Sequence, residues 1–149
     1  ESKFKGMFVT AVFGKFNTET GDVTFVNAGH ESIMLFDKSL NFEFLKSELP
    51  PIGIVKYFTE SMVVSKTINL KDKTFVVYTD GVTEGYLKNG QELGAEGVQK
   101  IIDGMPDVTP KNIVESIEKE LNWGAEKLRD DITCMAINIA NTELIKKAK

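Results

Sequence analysis

Two acidic segments of the sequence carry side chains of the kind that hold a hard divalent cation. Asp80-Gly81 follows a short apolar run, and Asp130-Asp131 opens the last apolar run of the chain. A carboxylate at the end of a buried strand is held rigidly, and a following glycine lets the chain turn away at once. Carboxylate oxygens from two such segments can converge on one ion. Each pattern taken alone also fits an aspartate that caps a turn.

The elements around these segments are mostly strands. Apolar and alternating runs predict seven strands, at 7–16, 22–27, 33–37, 42–45, 59–68, 75–78 and 131–139. Two helices come late in the chain, at 95–103 and 110–121, and the second begins with Thr109 as N-cap and Pro110 in the first turn. This order predicts an α+β fold with mostly antiparallel strands, in a single domain over residues 1–149 with an ordered core at about 7–139.

Two loops interrupt the strands. Asn27-Ala28-Gly29-His30 ends the second strand, and Leu49–Ile54 contains two adjacent prolines that cannot both lie in a central strand. His30 is the only histidine, so a zinc site is not expected. Hydrogen bonds of Asn27 and His30 that hold the turn are a better interpretation than a general acid. The proline loop fits either the wall of a substrate groove or a rigid corner.

Composition limits the classes of partner. The chain has 149 residues, 42% hydrophobic and 27% charged, with a net charge of −4. This balance does not favour nucleic acid or an anionic membrane as partner. No apolar stretch reaches the length of a membrane span, and no secretory signal is visible. The single cysteine, Cys134, cannot form an internal disulfide and fits a buried thiol in the reducing cytoplasm.

Four motifs, taken in order, give a family resemblance. The run 76–84 resembles the central motif of the PPM (PP2C-like) metal-dependent serine/threonine phosphatases, and in particular of their bacterial SpoIIE/RsbU branch. Residues 130–133 resemble the closing motif of that branch, and 27–30 and 50–54 match two further motifs. One motif of the family is absent from the sequence: the Asp-x-x-Gly-His-Gly segment, whose aspartate bridges two metals and which the family places upstream. The domain is therefore expected to lack its N-terminal part.

The resemblance implies a fold and a chemistry. The family fold is a β-sandwich flanked by helical layers in the order α-β-β-α. The family uses two Mn²⁺ or Mg²⁺ ions per complete site, whose activated water attacks phosphoserine or phosphothreonine without a protein nucleophile. By resemblance, Asp80 and Asp130 are ligands of one metal, and their carboxylates should lie close enough to share it. Gly81 is expected beside the metal as a structural residue.

Asp131 is a weaker ligand candidate. Consecutive strand residues point to opposite faces, so only one of the aspartate pair should face the ion. Asp131 can instead cap a turn or pair with Arg129. The other motif residues carry no assigned chemistry, and structural roles are expected for them: Asn27, Gly29, His30, Thr79, Thr83 and Glu84.

The implied substrate and partner is a phosphorylated regulatory protein of the anti-sigma-factor-antagonist type. An alternative enzyme class, the haloacid-dehalogenase phosphatases, would use Asp80 as nucleophile but needs an aspartate two residues later, where this chain has Val82. A second alternative is a catalytically inactive phosphatase-fold module that binds partners in signalling, which the missing bridging aspartate favours.

Without that aspartate, the chain alone is expected to be nearly inactive and to bind Mn²⁺ weakly. It is also expected to form a homodimer or to associate with the missing N-terminal segment. The first strand is apolar on both faces near its start, and two helices can cover only one sheet, which leaves an apolar face and a free edge.

Overall fold

The computed structural model describes residues 6–57, 59–121 and 130–139. The strands in chain order are β1 (Ala11–Phe16), β2 (Asp22–Ala28), β3 (Ile33–Asp37), β4 (Phe42–Leu45), β5 (Lys66–Asn69), β6 (Lys73–Tyr78) and β7 (Cys134–Asn138). The helices are α1 (Asp80–Thr83), α2 (Gly94–Asp103) and α3 (Pro110–Leu121), with a 3₁₀ turn at Glu60–Met62.

The strands form two antiparallel sheets that pack as a sandwich. One sheet has the order β1-β2-β5 and the other β4-β3-β6-β7. Side chains from β2, β3 and β6 meet between the sheets, where the rings of Phe25 and Phe75 contact edge to face at 5.5 Å. The antiparallel α+β sandwich expected from the sequence is confirmed.

Both longer helices pack on the outer face of the four-stranded sheet. Val98 and Ile102 of α2, with Ile113 and Ile117 of α3, are buried against β3 and β6. Thr109 caps α3 as expected, because its hydroxyl accepts a hydrogen bond from the Asn112 amide at 3.2 Å. The described residues therefore form a β-β-α arrangement, in which helices cover one of the two sheets.

Three predicted strands are longer than the observed ones. The first begins at Ala11, and before it Val9 forms only an isolated bridge to Ile52. In the region 59–68 only Lys66–Asn69 is a strand, because the side chains at 60–65 are all exposed and bury no face that would favour pairing. The last strand begins at Cys134 rather than at residue 131, because a threonine side chain described below binds the backbone just before it.

Two further observations concern the setting of the protein. None of the helices formed by the described residues combines the length and hydropathy that a membrane span requires.

Cys134 is partly buried, and burial raises the pKa of its thiol to about 11. The thiol therefore stays protonated at neutral pH, as expected for a structural cysteine.

The three-stranded sheet exposes apolar side chains near β1, and from them we expect self-association. Met7, Phe8, Val9 and Phe13 are between 57% and 64% exposed. Among the described strands, β1 has a neighbour on one side only. An apolar surface beside an open strand edge promotes pairing between chains. Light scattering at micromolar concentration should show a dimer or larger assembly.

The variant carrying Phe8→Lys and Phe13→Lys should shift this assembly toward monomer. Met135→Lys is the matched control, because Met135 is also exposed but lies on β7 of the other sheet. A monomeric wild-type chain that binds no hydrophobic dye would contradict the expectation.

Candidate functional site

The motif segments meet at one end of the sandwich. Tyr78 ends β6 opposite Cys134, where β7 begins. The start of β3 lies beside the same end, because Met34 pairs with Val76 in antiparallel register. The turn at 28–32, which joins β2 to β3, is therefore at this end as well. We call this region, formed by the segments 27–32, 79–84 and 130–133, the motif end.

Asp80 is the first residue of the single-turn helix α1. Its side chain is exposed, and its Oδ1 accepts a hydrogen bond from the Gly81 amide at 3.0 Å. Its carbonyl oxygen accepts two more, from the Glu84 amide at 2.7 Å and from the Thr83 hydroxyl at 3.2 Å. The Thr83 hydroxyl and the Glu84 amide thus close the turn that presents the aspartate.

Asp130 and Asp131 are exposed and lie in the irregular segment before β7. Oδ1 of Asp130 accepts a hydrogen bond from the Asp131 amide at 2.8 Å. Because neither residue is in a strand, the argument from strand alternation does not apply to this pair, and the predicted strand 131–139 was too long. Arg129, the suggested partner of Asp131, lies outside the described residues.

Backbone contacts join the two acidic segments. The Thr79 amide donates to the Thr133 carbonyl oxygen at 3.0 Å. A Cβ added to Gly81 would lie 2.4 Å from the carbonyl oxygen of Asp131, closer than any real contact. Gly81 is helical rather than left-handed. Glycine is therefore required at this position by close approach, not by the sharp turn that the sequence suggested.

The donor set fits part of a site for Mn²⁺ or Mg²⁺. Asp80 and Asp130 supply carboxylate oxygens, which these hard cations prefer, from two segments in direct contact. Within the described part of the chain, no three His, Cys, Asp or Glu side chains are grouped to hold a metal ion. An aspartate pair fills only a fraction of an octahedral shell, so water or residues beyond those described must complete it.

The turn at 27–30 is held by its asparagine, as expected. The buried Asn27 side chain accepts from the His30 amide at 2.9 Å and donates to the Glu31 carbonyl oxygen at 3.0 Å. The His30 ring bonds through Nδ1 to the Thr10 hydroxyl at 3.1 Å. These bonds give His30 a place in a hydrogen-bonded turn.

Ser47 connects this turn to the proline loop, and sequence reasoning missed it. Its hydroxyl accepts from the Gly29 amide at 2.7 Å and reaches the carbonyl oxygens of Asn27 at 3.0 Å and Leu49 at 2.8 Å. A serine outside every motif offers no signal of such a role. Pro51 packs directly on Gly29, so the proline loop is in contact with this turn.

Gly29 should be among the least replaceable residues of the turn. It has φ of +69°, and an added Cβ would lie 2.3 Å from the Pro51 ring. For Gly29→Ala we expect a loss of about 2–4 kcal/mol in the free energy of unfolding, from backbone strain and overlap together. Gly90→Ala is the matched control, because Gly90 has φ of +81° and nothing within 4 Å.

The control should cost only about 1 kcal/mol, from strain alone. Urea denaturation of both variants measures the difference. Equal losses would show that the Gly29–Pro51 contact relaxes without cost.

Tyr78 is a buried neutral group beside the site. Burial, and then the negative charge of Glu31, raise the pKa of its hydroxyl to about 12. The hydroxyl makes no hydrogen bond that the structure describes. Tyr78 thus remains protonated at physiological pH.

A cavity of about 620 Å³ lies at the opposite end of the sandwich. Its walls come from the turns at 18–21, 37–40, 71–74 and 106–108 and from the end of β7. It contains none of the motif residues. This cavity and the candidate metal-binding residues therefore lie at different ends of the fold.

Two sequence comparisons found related proteins. The family model described as Stage II sporulation protein E (SpoIIE) matches residues 1–140. Protein IcfG of Synechocystis sp. is 24% identical over 138 residues, which cover 88% of this chain and 20% of that protein.

Solved structures show the same fold. The SpoIIE phosphatase domain of Bacillus subtilis, in Mn-presoaked form, superposes with a TM-score of 0.64 at 18% identity, over 89% of this chain and 56% of that one. The RsbU and RsbW domains of a Mycobacterium tuberculosis protein give a TM-score of 0.61 at 19% identity, over 85% and 36%. This chain thus spans a fifth of the curated relative and little more than half of the SpoIIE phosphatase domain.

Proposed function

Because this chain belongs to the Stage II sporulation protein E (SpoIIE) family, within the SpoIIE/RsbU branch of the PP2C-like phosphatases, we propose that it forms part of a Mn²⁺- or Mg²⁺-dependent protein phosphatase. The proposed reaction is hydrolysis of phosphoserine or phosphothreonine on a regulatory protein. The observation that carries the proposal is the direct contact of the Asp80 and Asp130 segments at the motif end.

Asp80 and Asp130 are the residues that would hold a metal. Both side chains are exposed, and the Oδ1 atom of each accepts a hydrogen bond from the backbone amide of the next residue. When bound, the ion would lower the pKa of a coordinated water and neutralise charge on the phosphate. A complete site is expected to take two ions. The manganese-soaked form of the SpoIIE phosphatase domain supports the choice of metal.

The proposed substrate is a phosphorylated regulator of the anti-sigma-factor-antagonist type. The presence of RsbU and RsbW domains in one Mycobacterium tuberculosis protein supports a regulatory partner for this branch. The proposed setting is the cytoplasm, since a single, partly buried and protonated Cys134 fits a reducing compartment.

The test compares two proteins on a phosphoserine peptide. One is the chain of 149 residues, and the other includes whatever residues the gene encodes upstream of Glu1. With Mn²⁺, the longer protein should release phosphate and EDTA should stop it, whereas the shorter chain should be nearly inactive.

The upstream sequence itself discriminates the alternatives. An Asp-x-x-Gly-His-Gly segment there supports the enzyme. A longer protein that has this segment and binds Mn²⁺ but releases no phosphate from phosphoserine or phosphothreonine would contradict the proposal. A substituted segment, together with retained binding of a phosphoprotein, would support an inactive binding module instead. Vigorous turnover by the shorter chain would show that these 149 residues suffice for activity.

A further inference from the structure

The side chain of Thr79 does not cap the helix that follows it. Thr79 is the N-cap of α1, with extended backbone angles of φ −81° and ψ 164°. A threonine at an N-cap usually accepts a hydrogen bond from an amide in the first turn of its own helix. Thr79 makes no such bond. Its hydroxyl is therefore available for another partner.

That partner is the segment that carries the other aspartates. The Thr79 hydroxyl accepts a hydrogen bond from the Thr133 amide at 3.1 Å and donates to the Asp131 carbonyl oxygen at 3.2 Å. A hydroxyl has one proton to donate and lone pairs to accept, so both bonds form at once. The backbone bond from the Thr79 amide to Thr133 makes a third link. The two segments are thus joined by Thr79 through both its hydroxyl and its amide.

The location of this link relates it to the proposed metal site. Asp80 follows Thr79 directly, and Asp130 precedes Asp131, the residue whose carbonyl oxygen the hydroxyl binds. Each candidate ligand is therefore one residue from an end of the link. Hydrogen bonds between the two segments would hold both of them in place before the ion arrives.

We propose that Thr79 is a positioning residue, whose hydroxyl fixes Asp80 and Asp130 relative to each other for metal binding. The proposal rests on the metal-dependent function proposed above. Outer residues that orient metal ligands typically affect metal affinity about 10–100-fold when they are removed. Thr79→Val keeps the shape of the side chain and removes both hydroxyl bonds, whereas Thr79→Ser keeps a hydroxyl.

The experiment uses the chain of 149 residues, labelled with ¹⁵N, and Mn²⁺ as the probe. Bound Mn²⁺ broadens nearby amide signals even when its affinity is weak. In the wild type, the Gly81 and Asp131 signals should broaden together. In Thr79→Val, broadening should require about tenfold more Mn²⁺. The Asp131 amide signal should then broaden at a higher Mn²⁺ concentration than the Gly81 signal. Thr79→Ser should stay within about twofold of wild type.

Two controls separate positioning from general damage. Thr24→Val removes another cross-strand hydroxyl bond, from Thr24 to Thr67 at 2.8 Å in the other sheet, and should leave Mn²⁺ binding unchanged. Hydrogen exchange without metal should show a faster Thr133 amide in Thr79→Val alone, because that amide loses its acceptor. If Thr79→Val does not fold, Thr79→Ala replaces it.

The outcomes are distinct. Wild-type Mn²⁺ binding in a folded Thr79→Val, with the Thr133 amide exchanging faster, would overturn the positioning role and leave the metal site standing. Loss of binding in Thr79→Ser as well would also overturn it, because the hydroxyl would then not be the feature that matters. No broadening at the motif end of the wild type would reject the metal site itself.

Discussion

Replacing Asp80 or Asp130 by asparagine is expected to abolish Mn²⁺ binding at the motif end. Asparagine keeps the shape of aspartate but removes the charge that binds a hard cation. In the longer protein that includes any residues encoded upstream, each substitution should lower the Mn²⁺-dependent release of phosphate by at least about 100-fold. Amide broadening by Mn²⁺ measures the first effect, and an assay on a phosphoserine peptide measures the second.

The Asp131→Asn variant tests whether the Asp131 carboxylate is a metal ligand, which the sequence left open. Asp131 already takes part in the site through its carbonyl oxygen, which this substitution preserves. A small effect would leave Asp80 and Asp130 as the ligands, and a large one would add the Asp131 carboxylate to them. Asp103→Asn, on the exposed end of α2, is the control that should change nothing. Undiminished Mn²⁺ binding in both Asp80→Asn and Asp130→Asn would remove the basis of the proposed function.

Gly81→Ala should damage stability and metal binding together. The added methyl group would lie 2.4 Å from the Asp131 carbonyl oxygen and 3.0 Å from its carbon. Both are backbone atoms, so the overlap is relieved only by moving the two segments apart. We expect a loss of about 1–3 kcal/mol in the free energy of unfolding. The separation should also stretch the bond from Thr79 to Asp131 and weaken Mn²⁺ binding.

Gly104→Ala is the control for this substitution. Gly104 also has a φ outside the left-handed region, and its nearest atoms would lie 3.5 and 3.7 Å from an added Cβ. Alanine there should be neutral or stabilise by up to about 1 kcal/mol, through the unfolded chain. Urea denaturation with and without Mn²⁺ measures both variants. A Gly81→Ala protein as stable as Gly104→Ala would mean that the two segments separate freely.

The position of Asp80 at the end of a strand could be predicted from the sequence. The short apolar run before it indicates a buried central strand, and the structure has β6 there. Asp130 was harder to place. Its apolar continuation predicted a strand from residue 131, but the Thr133 amide binds a side chain instead of a neighbouring strand. A local sequence pattern cannot reveal this hydrogen bond, because the hydroxyl that accepts it belongs to Thr79, 54 residues earlier in the chain. The role of Thr79 was unpredictable for the same reason.

Exposure near the first strand follows from the count of helices rather than from periodicity. The strand is apolar on both faces near its start, and the two helices were expected to cover only one sheet; in agreement, Phe8 and Phe13 are 57% and 61% exposed. An alternating pattern shows that a strand has an apolar face, but it does not show which other element packs on that face. The two longer helices, by contrast, carried stripes at helical spacing and a capping threonine, and both were predicted to within one residue.

The long reach of the Thr79 bonds also has a consequence for how the protein folds. The hydroxyl and its two partners are 52 and 54 positions apart. Contacts of this kind form late, because the entropy of closing a large loop must be lost before any contact compensates for it. The two helices lie inside that loop, so they can form before it closes. Pairing of β6 with β7 closes the same loop, so the two aspartate segments meet when the last strand joins its sheet. Cation capture would then follow this late step of folding rather than guide an early one.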